Sequence, residues 1–246
     1  MTSFKTHRVE STHFVFYCGK NSHAFSNIDA IIATQESAYT TISNLLNTTL
    51  DGQINCWLCE SDQQLSELAG CPPYNGYAVY ENGEANVYCV YNETVDATGY
   101  HEITHIIADH YNDIKSAALA EGLAVCMERL WWSIPNELCV QMFRENGKYV
   151  SVDSMIDTLD DPFYKVNSCY SYPIMGAFVG FLIEEKGIER FLQLYAHSET
   201  DWKNEFIRIY GKSLVELEND FLLYIENLEF DLDQRNVAKE TLKSLL

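Results

Sequence analysis

The apolar residues of this chain change their spacing near residue 97. Before that point, short aromatic and β-branched runs such as residues 12–18 alternate with stretches of helical spacing. After it, apolar residues recur every three or four positions through nearly all of the remaining chain. Strands gathered in one part of a chain and helices in the other are typical of an α+β fold. We therefore predict an N-terminal lobe, residues 1–96, with a small, mostly antiparallel sheet and packed helices, and a mostly helical lobe, residues 97–246.

Capping and turn residues define the elements within each lobe. In the first lobe we predict strands over residues 12–18 and 53–59, helices over 26–47 and 61–70, and a hairpin of 76–80 with 85–91 around Asn82-Gly83. In the second lobe, helices are predicted over residues 99–111, 117–132, 135–144, 172–185, 188–197, 202–210 and 214–229.

The composition and net charge of the chain limit the classes of function that it can have. With 246 residues and 47% apolar residues, the chain is long enough to bury a core, and no apolar run reaches the roughly 18 residues that a membrane span needs. The net charge of -20 argues against nucleic acid as a partner, because phosphate binding requires clustered Lys and Arg. Residues 1–20 lack the apolar stretch of a secretory signal, so we expect a cytoplasmic protein. Most of the eight cysteines have apolar neighbours, which favours reduced thiols packed in the core.

One motif carries chemistry. His101-Glu102-Ile103-Thr104-His105 is a His-Glu-x-x-His sequence inside an amphipathic helical pattern. Side chains four residues apart lie on one face of a helix, so the imidazoles of His101 and His105 can bind one ion, for which zinc is the natural occupant. Glu102 lies about 100° further round the helix, where it can act on a water molecule as the general base.

A second signal follows downstream. Glu121 is the only charged residue in the stretch Ala-Ala-Leu-Ala-Glu-Gly-Leu-Ala-Val, residues 117–125. A carboxylate in such an apolar helix is costly to bury unless it is paired or bound to a metal. The motif alone would arise by chance in roughly 2 of 100 chains of this composition. Chance is a poor explanation because Ile103, Ile106 and Ile107 keep the helix amphipathic and because Glu121 follows at the right distance. Two imidazoles and one carboxylate leave a fourth zinc position open for water, as in catalytic sites.

His101-Glu102-x-x-His105, followed after fifteen intervening residues by Glu121, resembles the gluzincin zinc metallopeptidases and especially the small peptidase MA-like families. The resemblance implies one zinc ion per chain, a peptide or protein substrate, and a zincin-like active-site cleft between the two lobes. It also implies that an edge strand, here residues 85–91, receives the substrate in extended form. In such families a tyrosine at the start of a C-terminal helix faces the metal, and Tyr172 matches that position better than Tyr170.

Two functions therefore remain open. The first is peptide-bond hydrolysis by zinc-activated water, with Glu102 as general base and the Tyr172 phenol as a hydrogen-bond donor to the oxyanion. The second is a catalytically inactive, zincin-like binding module that keeps the shape of a peptidase and recognises a partner.

Overall fold

The computed structural model describes residues 6–81, 83–156, 162–197 and 201–246. The chain forms two compact units, Met1–Tyr111 and Asn112–Leu246. The first unit combines a five-stranded sheet with helices, and the described residues of the second are mostly helical. The α+β fold class is therefore confirmed. The predicted boundary after residue 96 groups the zinc ligands into one lobe, and it stays a prediction; the helix that begins at Tyr100 belongs to the first compact unit.

The first unit contains five strands and four helices among its described residues. The strands are β1 Thr6–Glu10, β2 Phe14–Gly19, β3 Ile54–Cys59, β4 Gly76–Glu81 and β5 Glu84–Val90. The helices are α1 His23–Ser26, α2 Ile28–Leu46, α3 Asp62–Ala69 and α4 Tyr100–Tyr111. Strand β1, which is mostly polar and alternates in burial, was missed by the sequence analysis.

The sheet has the strand order β1-β2-β3-β5-β4 and is mixed. The β1/β2 and β4/β5 pairs are antiparallel, whereas the β2/β3 and β3/β5 pairs are parallel. The predicted, mostly antiparallel pairing is thus corrected. The reason is that α2 connects β2 to β3, and a parallel pair needs such a crossover to return the chain to the same end of the sheet.

Strand β4, and not β5, forms one edge of the sheet. The prediction that residues 85–91 form the edge strand is wrong, because β5 pairs with β3 on one side and with β4 on the other. After α3 the chain first forms the outermost strand and then turns back through a hairpin into the sheet. Gly83 takes the positive φ of 82° that the predicted turn requires.

Buried residues at helical spacing hold α2 against the sheet. Ile31, Ala38 and Ile42 are almost completely buried, and Gln35 lies in the same row with no exposed surface. The helix ends at Asn47, which has the left-handed conformation that stops a helix. The shorter α3 confirms its predicted limits: Ser61 accepts a hydrogen bond from the Gln64 N–H, and Gly70 is the left-handed cap.

The second unit consists of helices with one short hairpin among its described residues. The hairpin strands are β6 Leu130–Trp131 and β7 Ile134–Pro135. The helices are α5 Ala117–Glu128, α6 Asn136–Glu145, α7 Pro162–Lys165, α8 Ser168–Glu184, α9 Ile188–Tyr195, α10 Trp202–Tyr210, α11 Leu214–Asn227 and α12 Leu232–Thr241. Across the described parts of both units, none of the helices has the length and apolar character required to span a membrane.

Two helix limits in the second unit differ from the prediction by four residues. Helix α5 stops at Glu128, because Arg129 adopts a left-handed φ of 65° and the chain then enters the β6/β7 hairpin, whose turn residues Trp132 and Ser133 also have positive φ. Helix α8 begins at Ser168, four residues earlier than predicted. Its N-cap is Asn167, which accepts a hydrogen bond from the Cys169 N–H.

Glycines let α5 and α8 approach closely. A Cβ atom on Gly122 of α5 would lie 2.8 Å from Val179 Cγ2 and 3.0 Å from the Met175 carbonyl oxygen. A Cβ atom on Gly176 of α8 would lie 3.0 Å from Val125 Cβ. All three distances are shorter than ordinary van der Waals contact, so larger residues would force the two helices apart.

Candidate metal centre

Helix α4 has one buried face and one face with polar side chains. Ile103, Ile106 and Ile107 are buried, as the amphipathic pattern predicts. His101 and His105 are half-buried, and their ring centroids lie 5.0 Å apart with an angle of 74° between the ring planes. Because the two residues are one helical turn apart, the spacing in the sequence is enough to bring their imidazoles together.

The start of α4 is fixed by a distant side chain. Gly99 precedes the helix with a φ of 118°, and its N–H donates a hydrogen bond of 3.3 Å to Gln35 Oε1. The Gln35 amide is itself held in place, because its Nε2 lies 3.8 Å from Cys56 Sγ on β3. The sequence analysis missed Gln35. The available signal was a polar residue within the apolar row of α2, where burial requires a hydrogen-bond partner.

Glu102 lies directly against strand β4. A Cβ atom on Gly76, the first residue of β4, would lie 2.8 Å from Glu102 Cδ and 3.0 Å from its Cγ, and closer still to its Oε1. Only glycine leaves room for this carboxylate at that position. The charge of Glu102 also reaches Cys89 on β5. The pKa of Cys89 is raised well above its usual value, first by a hydrogen bond with Cys56 and by burial, and to a smaller extent by neighbouring charges that include Glu102.

Glu121 is half-buried in α5, whose neighbouring residues Gly122, Leu123 and Ala124 are buried. The Tyr164 hydroxyl donates a hydrogen bond of 3.1 Å to Glu121 Oε1, and Oε2 is buried. Tyr164 belongs to the short helix α7 and was not among the predicted site residues. No spacing rule in the sequence connects residues 43 positions apart, so this contact could only be found in the folded chain.

His101, His105 and Glu121 each offer one ligand atom, and these atoms lie within 4.8 Å of one another. Ligands bound at 2.0 to 2.1 Å around a tetrahedral zinc ion are roughly 3.3 Å apart, so small side-chain movements would close the set around an ion. The donors are two imidazole nitrogens and one carboxylate oxygen, which is a set that zinc prefers. The residues present therefore fit the ion that the sequence predicts.

The two candidate tyrosines have different surroundings. Tyr172 lies in the second turn of α8, not at its first residue, and its ring packs 5.3 Å from that of Trp131 and 5.1 Å from that of Phe163. The Tyr170 hydroxyl donates a hydrogen bond of 2.7 Å to the Leu245 carbonyl oxygen. Tyr170 thus has a structural partner for its phenol. The role of Tyr172 at the oxyanion stays a prediction.

All eight cysteines are free thiols, and most of them are buried. Burial raises the pKa of Cys59, Cys126 and Cys139 to about 12 in each case. Within the part of the chain that the structure describes, the group of side chains close enough to hold an ion consists of His101, His105 and Glu121 and contains no cysteine.

The arrangement can hold a dication with three protein ligands, and Glu102 lies on the same helix as two of them. Such a set leaves room at the ion for a molecule that is not protein.

In comparisons with known proteins, no family model matches the chain, and no curated protein matches it.

Proposed function

We propose that this protein is a zinc-dependent metallopeptidase. The observation that supports the proposal is the convergence of His101, His105 and Glu121, whose ligand atoms lie within 4.8 Å of one another. The zinc ion would be held by two neutral imidazoles and one carboxylate. When bound, it would act as a Lewis acid that polarises a peptide carbonyl. It would also lower the pKa of water, so that water can lose a proton and attack near neutral pH.

Glu102 is the proposed general base. It follows His101 in α4 and points its side chain towards the first residue of β4. In the proposed reaction its carboxylate accepts a proton from the attacking water while the carbon–oxygen bond forms. It then gives that proton to the leaving amine as the carbon–nitrogen bond breaks. The proton thus moves from water to the new amino terminus, and Glu102 returns to its ionised form.

Strand β4 is the proposed binding surface for the substrate backbone. Among the described strands it has a neighbour on one side only, so its outer N–H and C=O groups can pair with an extended peptide. Because Gly76 opens this strand and touches Glu102, a peptide paired with the beginning of β4 would have its backbone near the base. This proposal transfers to β4 the role that the resemblance assigned to residues 85–91.

The test measures zinc and turnover separately. Purified protein, dialysed against zinc and then against buffer, should hold one zinc per chain by elemental analysis. Wild-type protein should cleave members of a mixed peptide library, as detected by mass spectrometry. Glu102→Gln keeps the size of the side chain but cannot accept a proton, so it should retain the zinc and lose about 10²- to 10⁴-fold of the cleavage rate. Glu67→Gln, on the exposed face of α3, is the matched control and should behave as wild type.

Two results would contradict the proposal in different ways. If the wild-type protein binds no zinc under these conditions, the metal site itself is wrong. If it binds zinc but cleaves nothing in the library, peptidase activity is rejected and the zincin-like binding module becomes the better explanation.

A further inference from the structure

We propose that Tyr164 is a positioning residue for the metal ligand Glu121, acting by the hydrogen bond from its hydroxyl to Glu121 Oε1. The inference rests on the proposed zinc site. It adds a residue that neither the His-Glu-x-x-His motif nor its spacing to Glu121 indicates.

Packing holds the backbone of Glu121 in place, but it does not determine the conformation of the side chain. Helix α5 is held against α8 by close packing at Gly122, the residue next to Glu121. A glutamate side chain has three rotatable bonds beyond this point, and each adds freedom that ligand binding must remove. A hydrogen bond to one of the two carboxylate oxygens restricts that freedom. Partners of this kind tune both the orientation and the affinity of metal ligands.

Tyr164 is suited to this role because its own position is anchored. The neighbouring Phe163 is 1% exposed, and its ring packs 5.2 Å from that of Tyr164 and 5.1 Å from that of Tyr172 on α8. Short helix α7 is therefore held in place through Phe163. From this position the Tyr164 hydroxyl donates its hydrogen bond of 3.1 Å to the Glu121 carboxylate.

Because Tyr164 is exposed, an effect on the position of Glu121 can be distinguished from an effect on the stability of the fold. Tyr164 is 58% exposed, so it contributes little to the apolar core. A substitution on such a surface normally changes stability only slightly. If the hydroxyl serves the metal site, its removal should therefore be visible in zinc affinity and not in the stability of the metal-free protein.

The experiment compares zinc affinity by competition with a chelator at one pH. Tyr164→Phe removes only the hydroxyl and should weaken zinc binding about 10- to 100-fold, with the melting temperature of the metal-free protein unchanged. Tyr170→Phe is the matched control, because it also removes a donating phenol, the one bonded to the Leu245 carbonyl. It should leave zinc affinity unchanged. In a Glu121→Ala background, Tyr164→Phe should have no further effect, since Tyr164 acts through Glu121.

The outcomes distinguish this inference from the proposed function. If wild type binds zinc and Tyr164→Phe binds it equally well, the positioning role is rejected while the zinc site stands. An equal loss of affinity in the Glu121→Ala background would also reject it, because the effect would not pass through Glu121. If wild type binds no zinc, both proposals are wrong.

Discussion

Helices α4 and α5 are both twelve residues long, and they carry the candidate metal ligands in opposite ways. Helix α4 has a clear division between a buried isoleucine face and a face bearing His101, Glu102 and His105. Helix α5 buries residues on most sides and carries the half-buried carboxylate of Glu121 among them. The chemistry of α4 is set by local spacing. The contribution of α5 depends on contacts with α7 and α8, which are distant in sequence.

The largest expected effect tests whether both helices supply ligands. His101→Ala or His105→Ala should lose most of the zinc, with affinity falling by more than the roughly 100-fold that loss of an outer partner costs. Glu121→Ala should also weaken binding strongly, because it leaves two neutral imidazoles to hold a dication. Chelator competition gives the affinities. If Glu121→Ala binds zinc as tightly as wild type, α5 supplies no ligand and the site depends on α4 alone.

The next effect concerns Tyr172 on α8 and its predicted hydrogen bond to the oxyanion. Tyr172→Phe should lower kcat by about 100-fold with zinc still bound and KM little changed, because a donor to the developing negative charge acts only in the transition state. Steady-state kinetics on a cleaved library peptide would measure this. Normal turnover in the phenylalanine variant would assign Tyr172 to the aromatic contacts with Trp131 and Phe163.

A smaller effect tests how α4 is fitted to the sheet. Gly76→Ala introduces a Cβ atom into the space of the Glu102 side chain, so the carboxylate has to move. Zinc content should stay the same while the cleavage rate falls about 10- to 100-fold, since a displacement of about 1 Å can cost that much. Gly19→Ala, at the end of β2, is the control glycine and should keep wild-type activity. Full activity in Gly76→Ala would show that Glu102 does not need its present position.

The smallest effect concerns the packing of α5. Gly122→Ala should lower the free energy of unfolding by about 1 to 3 kcal/mol, because its Cβ would press on Val179 and the Met175 carbonyl. Gly180→Ala is the matched control in α8. Its nearest atom would be 3.6 Å away, so alanine should raise stability by about 0.5 to 1 kcal/mol through its better helix propensity. Denaturant titrations of both variants measure the difference. Equal stabilities would mean that the two helices can separate without cost.

Patterns of short range were sufficient to predict α4, α3 and the β4/β5 hairpin. The α4 prediction differs from the observed helix by one residue, because the isoleucine spacing and the left-handed Gly99 mark its limits. The same local rules bring the two histidines together. They also identified Glu121 as an unusual charge, although only folding could bring its carboxylate within reach of the imidazoles.

Features that depend on distant contacts were not predictable. The order of strands placed β4 at the edge, which no local pattern specifies. Helix α8 was predicted to begin at Tyr172. The Asn167 cap instead starts the helix one turn earlier, so that Pro173 lies inside it. The turn at Trp132 and Ser133 uses positive φ values that favour glycine, and so gave no signal in the sequence.

The hydrogen bond from Gly99 to Gln35 has a consequence for the order in which the chain folds. It joins residues 64 positions apart and sets the start of the helix that carries both histidines. Closing so long a loop costs conformational entropy that local contacts do not repay. The start of α4 therefore reaches its final position no earlier than α2 does, although the helical spacing that pairs the two histidines is local.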